Sequence, residues 1–332
     1  MKAVRLHGVG DLRVEEVAEP GAPGSGEVLL RVDMAGICGS DLHNFRTGQW
    51  ISRTPSIPGH EFTATVVAAG EGAPLAPGLR VVADSRVSCG ACGPCRRDRP
   101  HLCRSIGYVG EVCDGGFAPL VRLPAGQVLP LPDQTVDPRA AAMAEPLAVA
   151  AHTVARLAPP PGLPVAIAGA GAIGALCALL LRHHGLGPVF IGDRNPARLE
   201  RVSGVTGARP VDLAGLAAAI GEEPEFAIES TGSAAAAAAL LAQVAPGGRV
   251  ASVGIFHGAA EVDLNRIVEG EVDWLGCASF RTELAEVLPL LPALAGDLVA
   301  LAVGPVGLDE VPAAYGALIA GAVPTVKTLL RP

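Results

Sequence analysis

Four cysteines, Cys89, Cys92, Cys95 and Cys103, form a Cys-x2-Cys-x2-Cys-x7-Cys run interrupted by Gly90, Gly93 and Pro94. Four thiolates can surround one tetrahedral Zn²⁺ at about 2.3 Å, and the glycines let the backbone fold around it. A closed four-sulfur shell leaves no position for a substrate, so this metal is expected to be structural. An iron–sulfur cluster is the competing reading of such spacing, and zinc is preferred to it. Zinc with four thiolates carries a net negative charge. Arg96, Arg97, Arg99 and Arg104 are read as compensating it on a solvated face, in preference to an anion site.

A second constellation mixes donor types. Cys38-Gly39-Ser40-Asp41-Leu42-His43 is followed by Gly59-His60-Glu61 and later by Glu145-Pro146. A catalytic zinc takes about three protein ligands of Cys, His or carboxylate type and keeps one position open. Cys38 and His60 with Glu61 or Glu145 can supply that set. Singly, each residue has a plain alternative: a small buried thiol, a hydrogen-bonded core histidine, a first-turn carboxylate. Together they also bring an orienting carboxylate, Asp41, and a hydroxyl and imidazole, Ser40 and His43, able to pass a proton from substrate to solvent.

The third is Val165-Ala-Ile-Ala-Gly169-Ala170-Gly171-Ala172-Ile173-Gly174, an apolar strand running into Gly-x-Gly-x-x-Gly. These glycines suit a tight turn and close approach to a pyrophosphate at a helix N-terminus. Asp193 follows at the end of the next apolar run. Its carboxylate suits a ribose 2′-hydroxyl and repels a 2′-phosphate, so NAD is preferred to NADP, with Arg194 and Arg198 as the residues that leave NADP open.

These residues need elements to position them. Up to about residue 130, short β-like runs (Val28–Val32, Phe62–Val67, Arg80–Ala83, Phe117–Arg122) lie between Gly/Pro turns and predict a mostly antiparallel β domain. From Pro164 the pattern changes. Apolar runs at 165–168, 189–191, 226–228 and 250–253 alternate with Ala/Leu-rich helical stretches, the pattern of βαβ units on a parallel sheet. The alanine run 234–239 reads as a helix. A further helix is expected from about Arg281 to Leu294, and the tail is read as rejoining the first domain. No internal repeat is visible.

With 332 residues, about two domains are expected at roughly 150 residues each. Half the residues are apolar and 17% charged, which excludes a disordered chain. A net charge of -8 with 3% aromatics supplies neither the basic surface nor the stacking platform that nucleic acid requires. No apolar run follows Lys2 and Arg5, so no secretory leader is expected. The uncharged stretch 162–181 is long enough to cross a membrane, but its three glycines are spaced as a turn, and no membrane partner is expected.

On these residues, and on Asp114-Gly115-Gly116-Phe117, the chain resembles the zinc-dependent medium-chain alcohol dehydrogenases, nearest to their sorbitol/polyol and butanediol branch. The resemblance implies a two-domain α/β fold. A GroES-like, mostly-β catalytic domain (1–148 and 282–332) would carry both zincs, and a Rossmann doubly wound parallel sheet (149–281) would bind NAD. It implies two Zn²⁺ per chain, a cytoplasmic enzyme, a small alcohol or polyol substrate, and a homotetramer or homodimer. Glu61 is implied as a direct zinc ligand, with Glu145 binding directly, through water, or during ligand exchange. Phe280-Arg281 resembles a Phe-Arg pair that contacts polyol hydroxyls, although Thr282 stands where that pair is followed by Tyr. Phe45 and Trp50 are read either as substrate-pocket walls or as packing. Gly39 stands where liver-type enzymes have a phosphate-binding Arg, and the segment between Asp212 and Glu229 is short for the family. The implied reaction is reversible hydride transfer from a secondary alcohol to NAD⁺. Butanediol and threonine dehydrogenases are the alternatives, and a non-catalytic binding protein is the remote one.

Overall fold

A computed structural model describes residues 1–321, 324 and 326–332. The chain divides into two units, Met1–Glu145 with Leu284–Val323 and Lys327–Pro332, and Pro146–Glu283 with Pro324–Val326.

In the first unit, alternating burial along strand Glu27–Gly36 marks a sheet packed on one face. This strand pairs antiparallel with Glu61–Ala69, Leu120–Pro124 and Lys327–Arg331. Arg80–Ala83 and Val128–Pro130 extend one side, and Ala302–Gly307 joins Lys327–Arg331 in parallel on the other. The sheet is thus antiparallel apart from one pair. Val28, Leu30, Val66, Val81, Phe117 and Tyr315 are among its fully or nearly buried side chains. The helical stretch after Arg281 runs past Leu294 to Leu301, broken between Val287 and Leu291 where Pro289 falls.

The second unit holds a six-stranded parallel sheet in the order Arg209–Pro210, Val189–Gly192, Val165–Ala168, Phe226–Glu229, Arg249–Ser252, Asp273–Gly276. The four inner strands read as short apolar runs because helices cover both faces. Strand order reverses between Val165–Ala168 and Phe226–Glu229, where open α/β sheets bind ligands at the carboxyl ends of their strands. The short segment before Glu229 folds as a five-residue helix, Leu216–Ile220.

The uncharged stretch 162–181 is strand Val165–Ala168, a glycine turn and helix Ala172–His183, whose residues 174–181 are all buried. Its apolarity belongs to a core. Among the described residues, Glu283–Leu301 is the one helical stretch apolar and long enough to cross a membrane. Leu284, Leu288, Leu291, Leu294, Leu298 and Leu301 of that stretch are buried in the protein.

Candidate active site and metal centres

Strand pairing assembles the mixed donors. Gly36 sits opposite Glu61 across the antiparallel pair, so the strand that ends beside Cys38 lies against the one that His60 precedes. Cys38 is the N-cap of helix Gly39–Thr47, and its N–H donates to Asp41 Oδ2 at 2.9 Å. Ligand atoms of Cys38, His60 and Glu61 all lie within 4.8 Å of one another, with His60 and Glu61 buried. Gly36 provides the room, since a Cβ there would stand 2.6 Å from Glu61 Oε2.

The electrostatics of this cluster suit a cation. Burial works against a charged imidazole at His60, yet Asp41, Cys38 and Glu145 outweigh it and raise its pKa well above the usual value. His60 Nδ1 is buried without a hydrogen-bond partner, 3.7 Å from Asp41 Oδ1, while Nε2 stands 3.4 Å from Ser40 Oγ. Anionic groups crowding an imidazole and a thiol are the chemistry of a zinc site. Glu145, in the first turn of helix Ala144–Leu157, accepts from Ser85 Oγ at 2.7 Å. Burial raises its pKa to about 7, and Glu61 adds to the rise.

Lys327 was not foreseen. Its Nζ donates to both oxygens of Glu61, at 2.5 and 2.7 Å, and to the carbonyl of Ile37. Burial opposes its charge, but Glu61 and Cys38 prevail and keep the ammonium above its ordinary pKa. The available signal was a lone lysine inside the apolar run Val326–Leu330, since lysine is almost never fully buried without a partner. Which partner it would find, 266 positions away, was not readable.

Around this cluster, His43 is buried, with Nε2 2.7 Å from Gln49 Oε1 and its ring 4.4 Å from that of Trp50. Phe45, partly buried, packs edge-on against buried Tyr315 beside the core. Trp50 is over a third exposed. Arg281 belongs to the second unit, where its backbone N–H donates to Glu283 Oε2. Glu283 in turn is bonded to buried His152 at 2.8 Å.

The cysteine lobe is built differently. Sγ–Sγ separations are 3.4 Å (Cys92–Cys95), 3.5 Å (Cys89–Cys103) and 3.8 Å (Cys92–Cys103). A tetrahedron with Zn–S bonds of 2.3 Å has edges of about 3.8 Å, so the four sulfurs fit one zinc. The Cys89 N–H donates to Cys103 Sγ and helps bring that thiol down to about 6, favouring the thiolate a metal needs. Cys89 is exposed and only Cys103 is buried.

In the second unit, Gly171 caps helix Ala172–His183, so Ala172 and Ile173 open its first turn. Gly174 packs against the preceding turn, where a Cβ would come within 1.9 Å of Gly169 O. A cavity of about 880 Å³ is lined by Gly169, Gly171, Asp193, Arg194, Arg198 and Ser230, among others. Asp193 accepts from the N–H groups of Ala170 (2.8 Å) and Asn195 (2.8 Å), and Arg198 Nη1 lies 3.6 Å from it.

Known proteins agree with this layout. Residues 24–133 match the family described as alcohol dehydrogenase GroES-like domain, and residues 172–293 match zinc-binding dehydrogenase. An L-threonine 3-dehydrogenase of Rhizobium johnstonii is 34% identical over 256 residues, covering 74% of each chain. Among solved structures, 2R,3R-butanediol dehydrogenase from Bacillus subtilis superposes with a TM-score of 0.90 at 29% identity, over 100% of this chain and 99% of the other. An alcohol dehydrogenase from E. coli CFT073 complexed with NADH gives 0.91 at 28%, with the same coverage. A putative zinc-binding dehydrogenase from Sinorhizobium meliloti 1021 bound to NADP gives 0.90 at 31%, again with the same coverage.

Proposed function

The chain belongs to the zinc-dependent medium-chain alcohol dehydrogenases, and from that membership we infer that it oxidises the secondary alcohol of a polyol or related diol, reversibly, with NAD⁺. The observation that carries this reading is the convergence of half-buried Cys38 with buried His60 and Glu61. Zinc, when bound there, supplies the Lewis acidity that lowers the pKa of an alcohol. Cys38 and His60 would hold it, with Glu61 or Glu145 completing the set. Asp41 faces His60 Nδ1 and steadies the ring. Lys327 fixes the Glu61 carboxylate by bonds to both its oxygens.

The substrate hydroxyl gives its proton to Ser40, which passes one on toward His43 as general base. NAD⁺, bound at the glycine turn of the second unit, would supply the hydride acceptor that turns the carbinol carbon into a ketone. Cys89, Cys92, Cys95 and Cys103 would hold the second zinc, outside the chemistry.

Preference for NAD over NADP rests on Asp193. Its carboxylate lines the cavity beside the glycine turn, tied to Ala170 and Asn195 and 3.6 Å from Arg198 Nη1, and a carboxylate there favours a ribose 2′-hydroxyl over a 2′-phosphate. Arg281 is our candidate for a polyol hydroxyl, and Trp50 for a pocket wall. A threonine-type substrate is the second reading, favoured by the name of the Rhizobium johnstonii relative. Family resemblance further suggests a cytoplasmic homodimer or homotetramer, which light scattering on the purified chain tests.

A spectrophotometric panel of sugar alcohols, vicinal diols and L-threonine against NAD⁺ and NADP⁺ tests the reading. Turnover of a polyol or diol, at least about tenfold better with NAD⁺, is expected. Threonine as best substrate would shift the assignment to the second reading. Absence of any alcohol oxidation at two zincs per chain would end it.

A further inference from the structure

We propose that Ser230 is a positioning residue for cofactor recognition, fixing the glycine turn at 168–170 and, through it, the Asp193 carboxylate that favours a ribose. The proposal rests on the assignment of the glycine-lined cavity to the dinucleotide and on the role given above to Asp193, to which it adds the group that holds both in place.

Ser230 follows strand Phe226–Glu229, whose Glu229 lies level with Ala168 at the end of the neighbouring strand. The chain leaves that strand in a turn set by Glu229, a fully buried carboxylate whose Oε1 accepts the N–H groups of Thr231 (2.7 Å) and Gly232 (3.0 Å). Ser230 is thereby turned onto the glycine-rich segment. Its N–H donates to Ala168 O at 3.0 Å, and its hydroxyl donates to Ala168 O at 2.8 Å and to Gly169 O at 3.2 Å. Carbonyl oxygens have no proton to give, so the direction of both hydroxyl contacts is fixed. Ser230 Oγ occupies the room that two glycines leave, since a Cβ on Gly169 or on Gly174 would stand 2.7 Å from it.

In a trans peptide the C=O and the N–H that follows it point to opposite sides of one plane. The unit joining Ala168 to Gly169 is held by Ser230 at its oxygen and by Gly192 O, 2.8 Å away, at its N–H. The unit joining Gly169 to Ala170 is held by the Ser230 hydroxyl at its oxygen and by Asp193 Oδ2, 2.8 Å away, at its N–H. Serine and aspartate thus face each other across a single peptide plane. Gly169 adopts φ 103°, a region that glycine enters freely, and the same freedom lets the adjoining plane rotate at little cost. The Ser230 hydroxyl opposes that rotation. Once the Ala170 N–H turns away, Asp193 keeps the Asn195 N–H on Oδ1 and has Arg198 Nη1 3.6 Å from Oδ2. A carboxylate drawn toward that guanidinium discriminates less between a ribose hydroxyl and a phosphate.

The test is calorimetric titration of zinc-loaded protein with NADH and with NADPH, in a double-mutant cycle of Ser230→Ala and Asp193→Ala. Ser230→Ala should weaken NADH binding about fivefold, the size of one neutral hydrogen bond, and NADPH binding less than about twofold, with a melting point within a few degrees of the parent. In the Asp193→Ala background the same change should alter NADH affinity less than about twofold. Ser230→Cys, which keeps a donor, should recover part of the loss. Equal losses for NADH and NADPH, or a Ser230→Ala loss undiminished in the Asp193→Ala background, overturn the proposal. A parent that binds NADPH as tightly as NADH refutes the NAD preference of the proposed function instead, and the cycle measured with NADH alone then decides the role of Ser230.

Discussion

The two candidate zinc centres share a chain unit but not a construction. Three of the lobe's four cysteines stand at least partly open to solvent, spaced by short turns within one sequence segment, with backbone N–H groups as their nearest help. The mixed centre draws on four distant segments, and its counter-charges are buried with it: Asp41, Glu61, Glu145 and Lys327. Four sulfurs saturate one metal, and a local loop is enough to hold them. A centre that must keep a position open has charges left over, and the fold must place a partner for each.

Removing two lobe thiolates, as in Cys92→Ser with Cys95→Ser, should produce the largest change in stability. Structural zinc contributes on the order of 10 kcal/mol to the fold that binds it. Metal analysis should find one zinc per chain and calorimetry a melting point lowered by more than about 10 °C. If the lobe variant kept its melting point, the lobe would not be the structural member of the pair.

Lys327→Met separates the centres from the other side. It leaves Glu61 as a buried carboxylate without its cation, which costs about 3–5 kcal/mol. Denaturant unfolding of the chelator-treated variant should show that loss, and added zinc should restore part of it. An unchanged metal-free variant would mean that the ion pair at 2.5 Å is not part of what holds the mixed site together.

Glu111 gives a smaller, pH-dependent effect. Burial raises its pKa from 4.5 to about 7, with His60 working the other way. Below the unfolded value both states are protonated and the group is neutral in the balance. As pH rises from 4.5 to 7 the unfolded chain ionises first, so the native state loses stability progressively and then levels off. Glu111→Gln keeps an acceptor for Asn44 and cannot ionise. It should therefore gain on the parent by about 1–3 kcal/mol between pH 4.5 and 8, read from denaturant midpoints. A difference independent of pH would contradict the shifted carboxyl.

How much of this was legible follows the same division. The cysteine run is local in sequence, so its chemistry could be read directly. The strand-Gly-x-Gly-x-x-Gly-helix turn was equally local, and the inner parallel strands fell where short apolar runs did. The mixed centre was legible in its donor types, because Cys38, His60, Glu61 and Glu145 sit in short motifs. Its balancing charge was not, since strand pairing alone brings Lys327 to Glu61. The buried Asn44–Glu111 bond was equally hidden, as neither residue type announces a partner 67 positions away. Phe45 shows the remaining limit. A bulky residue in a metal-bearing segment suits a pocket wall or a core, and its contact with Tyr315, 270 positions away, is not written in either residue type.

The central claim is that the mixed centre, and not the lobe, carries the chemistry. It is tested most directly by measuring zinc per chain and alcohol-dependent NAD⁺ reduction together in His60→Ala. One zinc should be retained, with a melting point within a few degrees of the parent and alcohol oxidation reduced by at least about 10³-fold, as loss of several kcal/mol of Lewis-acid stabilisation requires. Two retained zincs, or oxidation at the parent rate, would contradict it.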